Sequence, residues 1–360
     1  MENKKHQILK LWLWTGVVMV LVQFLLGSVT RLTGSGLSIT EWNVVSGVIY
    51  PFNDEMWNKE FDLYKAKPQY SKLTYGMSLA EFKFIYFWEY FHRLWARFIA
   101  FVFFIPFIYF VVKKMIPKKM ILQFGIVVLL GAVEGFMGWI MVQSGLKDRP
   151  WVNAYKLSFH LCFATLIIGF LYWILWNYNE KEIERRKVNF NLAFLVCVMI
   201  FIQIFLGGVM SGMRAGLVAP TWPDINGKLI PLEVNLLFSE SDNLFHNYEQ
   251  NHISGIIIQF FHRMWAYIIF ITIVLISFNH YKKKDLSHFN KSIKLVGLLL
   301  FQMILGIFTV IQCKGSIPVW LGVSHQITGI IVFLVSLNYW FGFFRSRYKI
   351  DELNTETSLI

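Results

Sequence analysis

The chain has 360 residues, of which 56% are hydrophobic, 18% aromatic and 16% charged, with a formal net charge of +12 and a mean hydropathy of +0.50. Soluble domains use roughly 25% charged residues, so this composition excludes an ordinary globular enzyme and points to a polytopic membrane protein. The surplus positive charge falls in short clusters between apolar runs, as cytoplasmic loops require, which excludes nucleic acid as the partner.

A spanning helix needs about 20 mostly apolar residues. Eight such runs are predicted, at about 9–28, 84–112, 119–143, 154–176, 191–211, 253–278, 293–312 and 318–344. The start, MENKKHQILKLWLW, is too short and too lysine-bounded for a transit peptide. The run from Leu11 to Gly27 lacks a small-residue cleavage site, so it reads as a retained first helix in a bacterial cytoplasmic membrane. The loop at 29–83 follows, with Trp42, Trp57, Tyr64 and Tyr75 set among Gly, Pro and acidic residues. Short basic loops then alternate with the others: Lys4, Lys5 and Lys10, then 113–119, 180–187, 281–294 and 345–349. Their charge assigns them to the cytoplasm, with both termini. The long loops, 29–83 and 212–252, lie on the opposite side, and their aromatic, turn-rich composition predicts lids over the outer mouth. Cys162 and Cys197 fall in apolar runs and Cys313 in a loop, so no structural disulfide is expected, and no CxxCH motif offers covalent haem attachment.

The chain repeats itself. QFLLGSVTRLTGSGL (23–37) aligns with QIFLGGVMSGMRAGL (203–217), and EYFHRLWARFIAFVFF (89–104) with QFFHRMWAYIIFITIV (259–274). GFMGWIMVQSGL (135–146) aligns with GIFTVIQCKGSI (306–317), and residues 151–170 with 316–335, His on His. Four helices are thus repeated in the same sense. The expected fold is an all-α integral membrane protein whose eight transmembrane helices form two parallel-repeat four-helix bundles, residues 1–180 and 181–360.

Of the nine histidines, His6, His246, His252, His280 and His288 fall in loops and read as solvated. His92, His160, His262 and His325 lie six to ten residues inside their predicted spans, at repeat-equivalent positions. A ring nitrogen in hydrocarbon must find a partner. Two histidines on neighbouring helices can clamp haem iron axially, whereas zinc or copper would want further ligands that the sequence does not place nearby. One such site is expected per half, with pairing across halves (His92 with His262) also open. Arg93, Arg97 and Arg263 stand beside these histidines and could meet propionates, snorkel to headgroups, or pair with a carboxylate. Glu89 lies three residues before His92, on the same helical face, and its repeat counterpart is the neutral Gln259. A carboxylate beside one site alone suggests chemistry there and electron carriage in the other half. Glu134 is a second intramembrane acid, aligned with Leu305, and reads as a proton relay or the partner of an arginine.

VTRLTGSGLSITEW (29–42), MSLAEFKFIYFWEYFHRLWAR (77–97), GWIMVQSGL (138–146) and QFFHRMWAY resemble the haem A synthase family over nearly the whole chain. The segment WNKEFDLYKAKPQYSKL (57–73) is similar to the longer form found in mitochondria and many Gram-negative bacteria. The resemblance implies eight helices in two halves, and oxidation of one porphyrin methyl of haem O to a formyl group. It implies His92 and His160 as axial ligands of the substrate haem, His262 and His325 as ligands of a resident haem b, and Glu89 as the catalytic acid–base. It further implies a haem O synthase upstream, a haem-copper oxidase downstream and an electron acceptor that the residues do not name; a homo-oligomer is compatible with it. Some members carry a cysteine pair in outer loops, which this chain lacks. Removing electrons from the macrocycle would make the methyl carbon open to water, with Glu89 taking the proton or steadying the cation. Oxygen activation at iron is the other route, and two axial histidines oppose it. The competing reading of the same residues is a di-haem electron-transfer cytochrome. A transporter of two parallel repeats fits less well, because the histidines lie toward one face.

Overall fold

The computed structural model describes residues 2–41, 49–147, 149–179, 191–239, 244, 246–248 and 252–357, with side chains to residue 344. Trp42 and the basic cluster at 180–187 lie outside the described residues. The described chain is helical, with one isolated bridge between Ile225 and Lys228. In lipid each backbone N–H and C=O must be satisfied within the chain, and a helix does this from its own residues. Eight helices are long and apolar enough to span: α1 (Glu2–Leu32), α4 (Leu79–Val112), α5 (Lys118–Leu146), α6 (Ala154–Asn179), α7 (Leu192–Gly212), α8 (Ile253–Lys282), α9 (Leu286–Ile311) and α10 (Val319–Thr357). Two short helices, α2 (Asp54–Lys65) and α3 (Pro68–Leu73), sit in the first long loop. The chain is a multi-pass membrane protein, and the all-helical, eight-span expectation is met.

Three helices start five or more residues earlier than the apolar pattern implied, α1 at Glu2, α4 and α9, the last two at a cap. α4 opens at Leu79 because Ser78 and Glu81 form a capping box, which satisfies donors that would otherwise be orphaned. α9 opens at Leu286 because the Asp285 carboxylate accepts the His288 N–H at 3.2 Å. The earlier start of α4 puts His92 thirteen residues from its first residue, not six to ten.

The backbone divides into two compact units, residues 1–175 and 176–360. In the second unit α7, α8, α9 and α10 pack backbone against backbone in a closed ring: α7 on α8, α8 on α9, α9 on α10, α10 on α7. In the first unit α1 packs closely on α4, and α4 more loosely on α5. There α6 meets α1 and α5 through side chains, with Leu171 against Gly16 and His160 against Gly138. Trp12 of α1 stacks on Phe103 at 4.6 Å and meets Phe124 edge-on at 4.9 Å, tying α1, α4 and α5 at one end.

At the other end the first long loop is folded, as its composition predicted. Trp57, Phe61 and Tyr64 of α2 bury themselves against Phe82 and Tyr86 of α4, with Phe61 stacked on Phe82 at 4.9 Å. Fully burying one such side chain stabilises by about 1.5–3 kcal/mol, so α2 is docked rather than loose. Gln69 of α3 donates to the carbonyl of Gly34 at 2.8 Å. Gly34 takes a positive φ of 71°, which lets the chain turn sharply as it leaves α1.

Candidate functional site: two histidine pairs

Each of the four intramembrane histidines faces a glycine on the spanning helix before it. A Cβ on Gly27 of α1 would lie 3.1 Å from His92 Nε2, and one on Gly138 of α5 would lie 3.2 Å from His160 Cε1. A Cβ on Gly207 of α7 would lie 3.1 Å from His262 Cε1, and one on Gly306 of α9 only 2.8 Å from His325 Cε1. An imidazole can seat against these helices because no side chain stands in its place.

One helical turn before each glycine stands an amide or a carboxylate that reaches the same histidine. Gln23 Nε2 lies 2.9 Å from His92 Nε2 and donates to the His92 carbonyl at 3.4 Å. Gln203 Nε2 lies 3.3 Å from His262 Nε2 and donates to the His262 carbonyl at 3.0 Å. Gln302 Nε2 lies 3.4 Å from His325 Nε2 and donates to the His325 carbonyl at 2.8 Å. In the fourth place Glu134 Oε1 lies 3.0 Å from His160 Nδ1, off the line of the ring N–H. The four segments read QFLLG (23–27), EGFMG (134–138), QIFLG (203–207) and QMILG (302–306).

This pattern corrects one sequence alignment. Matching GFMG to GIFT set Gly135 on Gly306 and Glu134 on Leu305, but the glycine that meets a histidine is Gly138. The structural counterpart of Glu134 is therefore Gln302, three residues from the aligned position. The glutamines went unremarked although their signal was present: a glutamine or glutamate four residues before a glycine, in each helix that precedes a histidine helix.

Within the second unit the rings of His262 and His325 stand 6.4 Å apart between centroids, at 71°. Within the first, His92 and His160 are close enough to interact electrostatically. Each histidine thus has its neighbour in its own unit. The tryptophan three residues after His92, Trp95, donates to Met19 O at 3.0 Å, and Trp265 after His262 donates to Met199 O at 2.9 Å.

Glu89 is 2% exposed and fully engaged. Its Oε2 accepts from Ser38 Oγ at 2.7 Å and from the Ile39 N–H at 2.8 Å, and its Oε1 accepts from Arg93 at 2.5 Å. Arg93 also donates to the Ile39 carbonyl at 3.3 Å. Glu89 thus fastens the chain leaving α1 to α4. Gln259 occupies the matching place in the second unit. It donates to Ala215 O at 3.1 Å and accepts from Arg263 at 2.9 Å. Arg263 in turn donates to the carbonyls of Thr221 at 2.7 Å and Asp224 at 2.9 Å. The contrast between Glu89 and Gln259 therefore has a structural component: one loop offers an N–H and a hydroxyl, the other a carbonyl. Of the three arginines singled out, Arg93 and Arg263 are engaged in this way, whereas Arg97 Nη1 is buried with no hydrogen-bond partner among the described residues.

Fold and site together define a multi-pass membrane protein that buries a pair of facing-helix histidines inside each of two helical units. The chain belongs to the COX15-CtaA family of cytochrome oxidase assembly proteins, whose sequence model matches residues 10–337. It is similar to the protein named heme A synthase of Brucella anthropi, with 36% identity over 94% of this chain and 93% of the relative. It is likewise similar to those of Rickettsia felis, at 38% identity over 91% and 95%, and Parvibaculum lavamentivorans, at 37% over 93% and 94%. The family resemblance carried by the motifs is thereby borne out.

Proposed function

We propose that this chain is a haem A synthase, an oxidoreductase that converts a porphyrin methyl of haem O to a formyl group. The observation that carries this reading is the fourfold recurrence of one contact: histidine, glycine and a polar side chain one turn before the glycine. Family membership and near full-length similarity to proteins named heme A synthase support it. We assign His92 and His160 to the substrate haem, and His262 and His325 to a resident haem b.

The residues present fit such a group. Imidazole nitrogens about 2.0 Å from a shared metal put the ring centroids roughly 6 Å apart, close to the 6.4 Å of His262 and His325. Arg97 Nη1 is buried without a hydrogen-bond partner among the described residues, and a haem propionate would supply one. Arg93 and Arg263 are the further candidates for the propionates. When bound, haem b supplies one-electron redox capacity to the second unit.

The overall change adds one water to the methyl and releases four protons and four electrons as the formyl forms. An acceptor outside the chain takes the electrons. Glu89 is the acid–base we assign to the water's proton, or the charge that steadies an electron-poor macrocycle. Ser38, Ile39 and Arg93 hold that carboxylate in one position, and the aromatic cover of Trp57, Tyr64 and Tyr86 shields the end of α4 from water. The basic short loops support a bacterial cytoplasmic membrane with both termini in the cytoplasm. Haem O would come from a haem O synthase, and the product would go to a haem-copper oxidase.

The test supplies haem O to the purified protein and follows the porphyrin by chromatography with mass detection. Conversion that is lost on His92→Ala or His160→Ala, with haem b retained, is the expected result. Conversion that survives both substitutions would overturn the site assignment.

A further inference from the structure

Within the membrane-length stretches of the eight helices, residues 4–32, 79–112, 120–146, 154–178, 192–212, 253–282, 286–311 and 319–344, the acidic side chains are Glu81, in the first turn of α4, and Glu89 and Glu134. Glu81 closes a capping box and Glu89 has Arg93 and the loop. The named ionic partner of Glu134 is His160, and its Oε2 has no hydrogen-bond partner among the described residues. An intramembrane carboxylate is costly and needs a reason. At the three matching places a glutamine serves.

The difference is chemical and not only one of charge. Each glutamine turns its Nε2 toward the histidine's own carbonyl, which fixes the amide's orientation. That same N–H can meet only a ring nitrogen that carries a lone pair. His325 agrees, because its Nδ1 lies 3.2 Å from the Gln302 carbonyl and must be the protonated nitrogen. A carboxylate has no proton to give. Beside His160 Nδ1, at 3.0 Å though off the line of a ring N–H, its negative charge favours a proton on Nδ1 and the lone pair on Nε2; His325 takes the same tautomer, but there Nδ1 faces an uncharged peptide carbonyl. A carboxylate that accepts from a ligating histidine fixes its tautomer and raises its basicity, and such bonding shifts the potential of the iron.

We propose that Glu134 is a positioning residue for His160 that makes the histidine pair of the first unit a stronger electron donor to its metal than the pair of the second. This rests on the reading of the four histidines as haem-iron ligands. Its consequence is a lower reduction potential for the haem held by His92 and His160 than glutamine at position 134 would give. The oxidised form would be favoured where the macrocycle is to lose electrons.

The experiment is a potentiometric titration of the purified full chain loaded with haem B at both sites, followed by the visible spectrum. Glu134→Gln should keep both haems and move one wave to higher potential. The reduced-to-oxidised ratio of that haem at a fixed ambient potential should rise tenfold or more, about 59 mV for one electron. The other wave should stay in place. The reciprocal Gln302→Glu should lower the other wave, and it decides the matter if Glu134→Gln loses its haem. Unmoved waves with haem content intact would overturn the role of Glu134 and leave the haem reading standing. A wild-type chain that binds no haem through two histidines would overturn both.

Discussion

At the residue scale the site depends on contacts a few tenths of an ångström wide. A methyl at position 306 would sit 2.8 Å from His325 Cε1, closer than carbon atoms tolerate. Overpacking of this kind costs about 1–3 kcal/mol. Gly306→Ala is therefore expected to displace His325 and lower the haem content of the second unit. Gly27→Ala, with 3.1 Å available beside His92, should do less; haem per chain, measured as the pyridine complex, checks the order. Glu89→Gln puts an amide where two donors converge on Oε2 and a guanidinium on Oε1. One charge-assisted bond worth about 1.5–3 kcal/mol is lost. The variant should retain haem and lose conversion, and conversion at the normal rate would remove Glu89 from the mechanism. The histidines and Glu89 were legible in the sequence because an ionisable residue in an apolar run stands out. Gln23, Gln203 and Gln302 were not, since a glutamine near a helix end is unremarkable until its histidine is found beside it.

At the scale of elements, the first long loop is a docked structure and behaves as one. Trp57 is buried between Tyr50 and Tyr86, and truncating a buried aromatic costs about 3–5 kcal/mol. Trp57→Ala should release α2, seen as faster amide exchange over 54–73, with the second unit unchanged. The second long loop carries a pH dependence. The Gly227 N–H, which donates to the Asp224 carboxylate at 2.9 Å, is the largest cause holding that carboxyl below its ordinary 3.8; the Thr221 hydroxyl and Arg263 add to it. A lowered folded pKa contributes stability that is complete above the unfolded value and lost as pH falls through the folded one. The turn at 221–228 should hold at neutral pH and loosen only below pH 3.8, and Asp224→Asn should abolish that dependence. Amide exchange at Gly227 across acidic pH measures it. Span existence and order were readable from hydropathy because lipid enforces it. Helix starts were displaced at Ser78 and Asp285 because caps, and not apolar pattern, decide where a helix begins.

At the scale of the whole molecule, two sets of four helices carry matching contacts around their histidines, and they differ at two acids. The repeat was visible in the sequence as four pairs of aligned segments, with His-Arg on His-Arg and His on His. Its third segment was set three residues out of place, because a local match of glycines outweighed a spatial one that only the histidine contacts reveal. Packing density within each unit could not be read from composition, since lipid-facing and bundle-facing apolar residues look alike. On the proposed reading, the first histidine pair, with Glu89, transforms a porphyrin and does not merely carry electrons. The most direct test is to express the full chain in a host that makes haem O but not haem A, extract the non-covalent haem and identify it by mass. Haem A beside haem B is the expected result; haem B alone, at two per chain with haem O available, would overturn that reading and leave a di-haem electron-transfer cytochrome.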